Sequence, residues 1–458
     1  MSDTITAIAT PVGEGGVSLI RISGKRALAI ASTLFHASSG LEVQDFSPHH
    51  VYFGEIRQPG AGQCVDEVLL TWFQGPRSYT AEDVVEISAH GGVFVSSRIL
   101  GLILDQGARL AEPGEFTRRA FLNGRIDLSQ AEAVADVIAA SSERALRSAV
   151  SQLKGDLSAR LNEMYDRLLA VLAQLEAAID FPEDDLSFQS RDETREGIHI
   201  LSQALESLIR TYRQGKIFRE GVAVALVGKP NVGKSSLLNA LLQEDRAIVT
   251  SIPGTTRDTL EERVRIKDVH INIVDAAGLR ENPDLIEEQG IQRARAALAR
   301  AGLALAVFDA SRPLDANDDL LIREVGNKSR LILMNKTDLP QRMEESELKA
   351  RFPGEPVLKI SATEGMGLPR LFDAIYDFAM GGQRLEEPVI ITRERHRRCL
   401  AEARDSLEKA GASLEKGLSE EFVAVDVTLA LEQIGNLLGK TFGEDLLDRI
   451  FGEFCIGK

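Results

Sequence analysis

Short runs in which apolar residues alternate with polar ones, broken by glycine-rich turns, fill the chain up to about residue 120. They include Val17-Ser-Leu-Ile-Arg-Ile-Ser23, Val51-Tyr-Phe-Gly-Glu-Ile56, Glu67-Val-Leu-Leu-Thr-Trp-Phe73 and Val84-Val-Glu-Ile-Ser88. Such runs predict strands. Single helices are predicted between them, around Arg26–Leu34 and Val95–Gln106, which makes the segment an α+β domain. From Asp127 to Tyr212 the period becomes helical. Ser129-Gln-Ala-Glu132 has the form of a capping box, in which the Ser oxygen takes an orphan amide and the Glu reaches back. Val150, Leu153, Leu157, Leu161, Met164, Leu168, Leu172 and Leu175 then recur every three or four residues and line one helix face. Phe181-Pro182-Glu-Asp-Asp185 breaks the pattern, because proline lacks the amide and forces its predecessor out of helical geometry. A second helical stripe follows in Ile198, Leu201, Leu205, Leu208 and Tyr212.

At Gly221 the pattern changes again. Apolar runs at Val222–Val227, Val269–Val274, Leu303–Phe308, Leu331–Met334 and Val357–Ile360 alternate with helical segments, which predicts a parallel, doubly wound sheet. Beyond Gly381-Gly382 helices resume, with Cys399, Ala403, Leu407 and Leu414 on one stripe and a further run from Phe422 to Leu438. The expected architecture is therefore multidomain. An α+β N-terminal domain occupies 1–121, an all-α helical domain is split between 122–217 and 382–458, and an α/β P-loop G domain of Ras-like type at 218–381 is inserted between its halves. Insertion is the simplest account, since domain ends lie close together and insertions fall at exposed loops.

The chain has 458 residues, ample for several cores, and no run of 18 uncharged apolar residues, so no membrane span is expected. Met1-Ser2-Asp3-Thr4 lacks a basic stretch followed by an apolar core, so no secretory signal is expected. The three cysteines, Cys64, Cys399 and Cys455, are too scattered for a disulfide scaffold or a metal knuckle. Together these features suit a cytoplasmic protein. A net charge of −16 excludes nucleic-acid binding through bulk charge. RNA contact needs a local basic patch, and Arg393-Glu-Arg-His-Arg-Arg398 is the best candidate, although such a run also suits a solvated helix face.

Gly228-Lys-Pro-Asn-Val-Gly233-Lys234-Ser235 follows an apolar strand and precedes a helix-forming run, the context that a GxxxxGK[ST] phosphate loop requires. Its glycines let backbone amides point at phosphates, and the helix N-terminus adds favourable field. Lys234 would bridge the β- and γ-phosphates, and Ser235 would hold Mg²⁺. Asp275-Ala276-Ala277-Gly278 ends a strand as the DxxG that reaches Mg²⁺ through water. In Asn335-Lys336-Thr-Asp338 the aspartate suits guanine N1–H and the 2-amino group. Adenine lacks that donor pair, and an unpaired carboxylate is costly. Ser361-Ala362, after the last strand, places a backbone amide for guanine O6. Order and spacing identify a GTP-binding domain. Its expected nucleotide contacts are Asn231, Val232, Gly233, Lys234, Ser235 and Ser236, then Thr250, Ser251, Ile252, Pro253, Gly254, Thr255 and Thr256 of switch I. Asp275, Ala276, Ala277, Gly278, Asn335, Lys336, Asp338, Ser361 and Ala362 complete the set. Leu279 stands where Ras-like proteins carry a water-orienting glutamine. Asn231 reads either as a turn former or as an amide ligand for a monovalent cation bridging the phosphates. In the second case carbonyls of Thr250, Ile252 and Thr255 complete the cage and Thr256 reaches Mg²⁺.

The set GxPNxGKS, GTTRD, DxAGLR and NKxD, with a chain ending Phe454-Cys-Ile-Gly-Lys458, resembles the MnmE/TrmE family of tRNA-modification GTPases. The run Thr6 to Gly24 matches as well. So do Ser78-Tyr-Thr-Ala-Glu-Asp-Val-Val-Glu86 with His90-Gly-Gly92, and Pro113-Gly-Glu-Phe-Thr-Arg-Arg-Ala-Phe-Leu-Asn123. The resemblance runs from end to end. It implies a homodimer formed through the N-terminal domain, which binds a 5-formyltetrahydrofolate-type folate. It also implies K⁺-stimulated GTP hydrolysis when two G domains meet. With an FAD-dependent partner of MnmG/GidA type, the FAD residing on that partner, the family installs an aminomethyl or carboxymethylaminomethyl group at C5 of the wobble uridine of certain tRNAs. Carried over by position, Asn231, Thr250, Ile252 and Thr255 would bind K⁺, Ser235 and Thr256 Mg²⁺, and Glu287 would position the water. Arg21, Glu86, Arg125 and Lys458 would bind folate. A pterin's amide N–H and amino group suit a carboxylate, and basic groups suit its anionic tail. Position 125 is Arg where the family is expected to carry Lys, which keeps the charge but changes the geometry. Cys455, a suggested thiol of the family, has only Glu453 and Lys458 as charged sequence neighbours and is left out of the catalytic set.

The rival function is a ribosome-assembly or other RNA-linked switch GTPase, which would carry an RNA-binding appendage with a basic face. A dynamin-like assembly GTPase would want basic amphipathic helices. The acidic helical block and the folate-like N-terminal domain argue against the first. No such basic helices are read in the sequence, which argues against the second.

Overall fold

A computed structural model describes residues 3–180, 190–243, 262–274, 295–326, 328–381 and 389–458. The chain forms two compact units. One comprises Met1–Ile138, Ala149–Ser202 and Glu402–Lys458, the other Ala139–Ser148 and Gln203–Ala401.

In the first unit seven strands form one sheet in the order β3-β4-β5-β6-β2-β1-β7. They are β1 (Ile5–Ile8), β2 (Val17–Ser23), β3 (Phe35–Ala37), β4 (Val51–Arg57), β5 (Cys64–Phe73), β6 (Val84–His90) and β7 (Arg109–Leu110). Neighbours are antiparallel except β1 and β7. The two-residue period turns Ile20, Ile22, Val68, Leu70, Val85 and Ile87 to one face, where helices α1 (Ala27–Leu34) and α2 (Val93–Asp105) pack with Ile30, Leu34, Ile99 and Ile103. The same period sends Arg21 and Glu86 to the opposite face. The β2–β6 register sets these two residues side by side. Helix α3 (Glu115–Leu122) delivers Arg119, 1% exposed, to carboxylates of Asp3, Glu82 and Glu115. Much of the Ser78–Glu86 and Pro113–Asn123 motifs is therefore scaffold: a buried guanidinium held by acids from both.

Helix α4 (Leu128–Ala139) is capped two residues earlier than the sequence suggests. Asp127 Oδ1 accepts the Gln130 amide at 3.0 Å, and Gln130 Oε1 accepts the Asp127 amide at 3.0 Å. Ser129 instead turns inward, 3.0 Å from the Ser158 hydroxyl. The expected apolar stripe is present, but Gly155, at φ +94°, divides it between α5 (Glu143–Lys154) and α6 (Asp156–Asp180). Leu157, Leu161, Met164, Leu168 and Leu175 are buried, and α6 packs along the helix Glu420–Leu438. The break at Phe181–Asp185 lies outside the described residues. Helix α7 (Arg191–Glu220) buries Ile198, Leu201, Leu205 and Leu208 as expected.

The second unit holds a six-stranded sheet in the order β13-β12-β11-β8-β10-β9. Its strands are β8 (Val222–Val227), β9 (Glu262–Ile266), β10 (Val269–Val274), β11 (Leu303–Asp309), β12 (Arg330–Asn335) and β13 (Val357–Lys359). All pairs are parallel except the β9–β10 hairpin. Every residue of β11 is buried, as a strand covered on both faces requires. The sequence reading omits β9: Glu262-Arg-Val-Arg-Ile266 alternates charge with the buried Val264 and Ile266 and adds an antiparallel edge. After β8 the chain goes first to β10 on one side and then to β11 on the other. The crevice at the carboxyl ends of these strands is thus a topological switch point, where doubly wound sheets bind ligands. No described helix is long and apolar enough to cross a membrane.

Candidate functional site

The phosphate loop leaves β8 at Gly228 and enters helix α8 (Lys234–Gln243). Two of its residues have positive φ, Asn231 at 63° and Gly233 at 98°. Only glycine suits the second. A Cβ there would lie 2.2 Å from Asn335 Nδ2. The Lys234 ammonium curls back over the loop, donating to the carbonyls of Gly228 at 2.7 Å and Lys229 at 2.6 Å. Burial pushes its pKa down to about 8. A polyphosphate beside this group would favour the charged form. Nucleotide binding at pH 8.5 should therefore take up a proton, while at pH 7, where the ammonium is already formed, uptake should be small. Calorimetry in buffers of different ionisation enthalpy reads the difference.

The guanine-type loop after β12 is tied to the phosphate loop. Asn335, 1% exposed, donates from Nδ2 to the Val232 carbonyl at 2.8 Å and accepts the Ala362 amide on Oδ1 at 3.0 Å. Lys336, at φ 61°, donates to the Asn231 carbonyl at 2.6 Å and to Asp309 Oδ2 at 2.6 Å. Asp338 is exposed at the same turn, and Ser361 Oγ accepts the Glu364 amide. Thus Asn231, Val232, Asn335, Lys336 and Ala362 converge on one bonded network, with Gly233 close against Asn335 and Lys234 folded over its own loop. Ser235 and Ser236 open α8 beside them. Sequence reading passed over Asp309. Burial opposes its charge, yet Lys336 and the hydroxyl and amide of Ser311 hold its carboxyl below the usual range. On the far flank Lys229 pairs with Asp315 at 2.7 Å and Asp318 at 2.6 Å, at the capped start of the helix Ala316–Val325.

Thr250, Ser251, Ile252, Pro253, Gly254, Thr255 and Thr256, then Asp275, Ala276, Ala277 and Gly278, and Glu287, lie outside the described residues. Of the cation ligands expected from sequence, Asn231 and Ser235 fall within them. Ser235 offers a hard hydroxyl oxygen at the α8 N-terminus, as Mg²⁺ requires, and Asn231 is exposed at the loop apex. Among the described residues no group of three or more His, Cys, Asp or Glu is arranged to hold a metal.

On the face of the first sheet opposite α1 and α2 a second constellation forms. Arg21 Nε donates to Glu86 Oε1 at 2.8 Å, and its guanidinium lies 5.0 Å from the Tyr79 ring centroid and 5.5 Å from that of Phe116. Arg125 lies 5.1 Å from the same Tyr79 ring and donates to the Tyr79 carbonyl at 2.8 Å. The chain's last residues close the group. Arg21 donates to the Gly457 carbonyl at 3.3 Å, and the Phe116 amide donates to the Lys458 carbonyl at 3.2 Å. Gly457, at φ 95°, lies so near β1 that a Cβ would meet the Ile8 carbonyl at 2.6 Å. Burial, with the Arg21 charge beside it, pushes the Lys458 ammonium below its ordinary range. All four residues expected to bind folate therefore share one neighbourhood, Arg21 and Lys458 beside the Glu86 carboxylate and Arg125 on the Tyr79 ring that Arg21 also meets. Tyr79 and Phe116, the aromatic walls, were not singled out from sequence, though both stand inside the quoted motifs. The Cys455 thiol is exposed, and its carbonyl faces the amide of Gly114.

Comparison with known proteins points to one family. A family model described as GTP-binding protein TrmE N-terminus matches residues 4–125, and one described as MnmE helical domain matches residues 128–455. A tRNA modification GTPase MnmE from Syntrophus aciditrophicus is 46% identical over 460 residues, with 100% of both chains covered. Those of Geobacillus kaustophilus and Lactiplantibacillus plantarum are each 43% identical, covering 100% of this chain and 99% and 98% of theirs. The G domain of the T. maritima FeoB iron transporter matches 34% of this chain and 98% of its own at 27% identity and a TM-score of 0.25, too partial a likeness to add weight. With two family models matching in succession and relatives aligned from end to end, the chain belongs to the MnmE/TrmE family of tRNA modification GTPases.

Proposed function

We propose that this GTPase is one half of a tRNA-modifying machine. With an FAD-dependent partner of MnmG/GidA type it installs an aminomethyl or carboxymethylaminomethyl group at C5 of the wobble uridine of certain tRNAs, drawing the carbon from a tetrahydrofolate. The observation that carries this reading is the joining of Arg21, Glu86, Arg125 and Lys458 around Tyr79 and Phe116 in a chain that also holds a guanine-nucleotide loop. A flat pterin suits two aromatic walls. Glu86 suits its paired N–H donors, and the cations suit its glutamate tail. In the G domain, taken as 218–381, Lys234 would release its loop carbonyls for the phosphates, while Asp338 accepts from guanine. Ser235 and Thr256 would hold Mg²⁺, and Asn231, Thr250, Ile252 and Thr255 would hold K⁺. When bound, the two ions supply positive charge against the phosphates. Glu287 would orient the water. A homodimer through the N-terminal domain and a cytoplasmic setting complete the reading.

Equilibrium binding of 5-formyltetrahydrofolate to the full chain tests it. Wild type should bind, and Arg125→Ala, an exposed substitution, should weaken binding about tenfold, the worth of one charge-assisted hydrogen bond. Absence of folate binding would favour the rival reading, an RNA-linked switch GTPase.

A further inference from the structure

We propose that Asp309 is a positioning residue of the nucleotide site, acting through Lys336 to lock the guanine loop onto the phosphate loop. The residue closes β11, a strand otherwise wholly apolar, and the parallel register with β12 sets it beside Asn335. Its side chain is 5% exposed. A carboxylate so placed costs free energy unless a partner answers it. Here Oδ2 meets the Lys336 ammonium at 2.6 Å, and Oδ1 accepts the Ser311 hydroxyl at 2.6 Å and amide at 2.9 Å.

The lysine is the joint. Its ammonium has a second acceptor, the backbone carbonyl of Asn231, at 2.6 Å. Lys336 and Asn231 are both non-glycine residues in the left-handed region, at φ 61° and 63°. That conformation persists only where surrounding contacts over-determine it. Asp309 supplies such a contact by anchoring the ammonium that grips the Asn231 carbonyl. One step away the Asn335 amide grips the Val232 carbonyl, so two neighbouring bonds clamp the loops together. A nucleotide bridges these loops, its phosphates on one and its base on the other. Loosening the clamp therefore weakens retention of the whole nucleotide, diphosphate and triphosphate alike, without touching the atoms that react.

The assignment rests on the GTP-site reading, and release kinetics separate the two. The full chain is loaded with N-methylanthraniloyl-GDP and chased with excess GDP. A parallel run uses the corresponding non-hydrolysable triphosphate. Asp309→Asn should speed release of both probes about tenfold, the cost of one ionic hydrogen bond, with the thermal midpoint of the nucleotide-free protein little changed. Asp309→Glu should recover part of the loss. Lys336→Met, which keeps the stem and removes the ammonium, should reproduce the effect, and the double variant Asp309→Asn/Lys336→Met should release no faster than Lys336→Met alone. This non-additivity shows that Asp309 acts through Lys336. Faster release at an unchanged thermal midpoint is what a merely structural role would not produce, and Lys336→Met carries the test if Asp309→Asn does not fold. Wild-type release rates in both Asp309→Asn and Lys336→Met overturn the proposal, as does full additivity. Wild type that holds neither probe overturns the nucleotide site and the proposal with it.

Discussion

GTP turnover by the full chain in KCl should exceed turnover in NaCl of equal ionic strength by at least ~10-fold, and Asn231→Ala should abolish the difference. Leu279 replaces the glutamine that orients water in Ras-like proteins, so the attacking water must be oriented by something else, and Asn231 offers a cation site that would do the work of an arginine finger. An arginine finger supplies about 10³–10⁵ in rate, and a monovalent cation held at the same place should supply part of that. The structure sets Asn231 at the apex of the phosphate loop, exposed, with its carbonyl fixed by Lys336. Its side-chain amide then faces outward from a held backbone rather than from a mobile turn. Because the clamp uses the backbone carbonyl, Asn231→Ala deletes the amide ligand and keeps the clamp. Rates that are equal in the two salts would send the search to a protein activator acting in trans.

Gly233→Ala should cost more than 100-fold in nucleotide affinity, read by titration with N-methylanthraniloyl-GDP. Two penalties combine. The φ of 98° is strained for any residue with a Cβ, at about 1–3 kcal/mol, and that Cβ would stand 2.2 Å from Asn335 Nδ2. Asn335 must then leave the Val232 carbonyl, and a buried polar group without its partner costs about 1–3 kcal/mol. Their sum reaches the stated loss at about 1.4 kcal/mol per tenfold. The damage is local, so the first unit should unfold as in wild type. An affinity within tenfold of wild type would show that the two loops adjust independently.

What was legible in the sequence is what local chemistry writes in consecutive residues. The strand-glycine-lysine order of the phosphate loop and the Asn335–Asp338 turn are such signals, as are the apolar stripes of α6 and α7. Asp309 was not legible, because a lone acid after an apolar strand has no marker when its partner is 27 positions away. Tyr79 and Phe116 were hidden for a related reason: their shared neighbour Arg21 reaches them only through sheet register and a docked chain end. Strand β9 was masked by alternating charges that suit an edge. The start of α4 was misjudged because Asp127–Gln130 and Ser129–Glu132 offer overlapping caps. Packing of Ser129 against Ser158, 29 positions on, decides between them.

The docked tail has a practical side. Arg21 donates to a carbonyl 436 positions later, and the Phe116 amide donates to that of Lys458 itself. Loss of a few terminal residues to a carboxypeptidase during purification would remove both acceptors and leave the phosphate loop whole. Two preparations with the same GTP turnover would then differ in the packing about Arg21, and intact mass would tell them apart before any assay did.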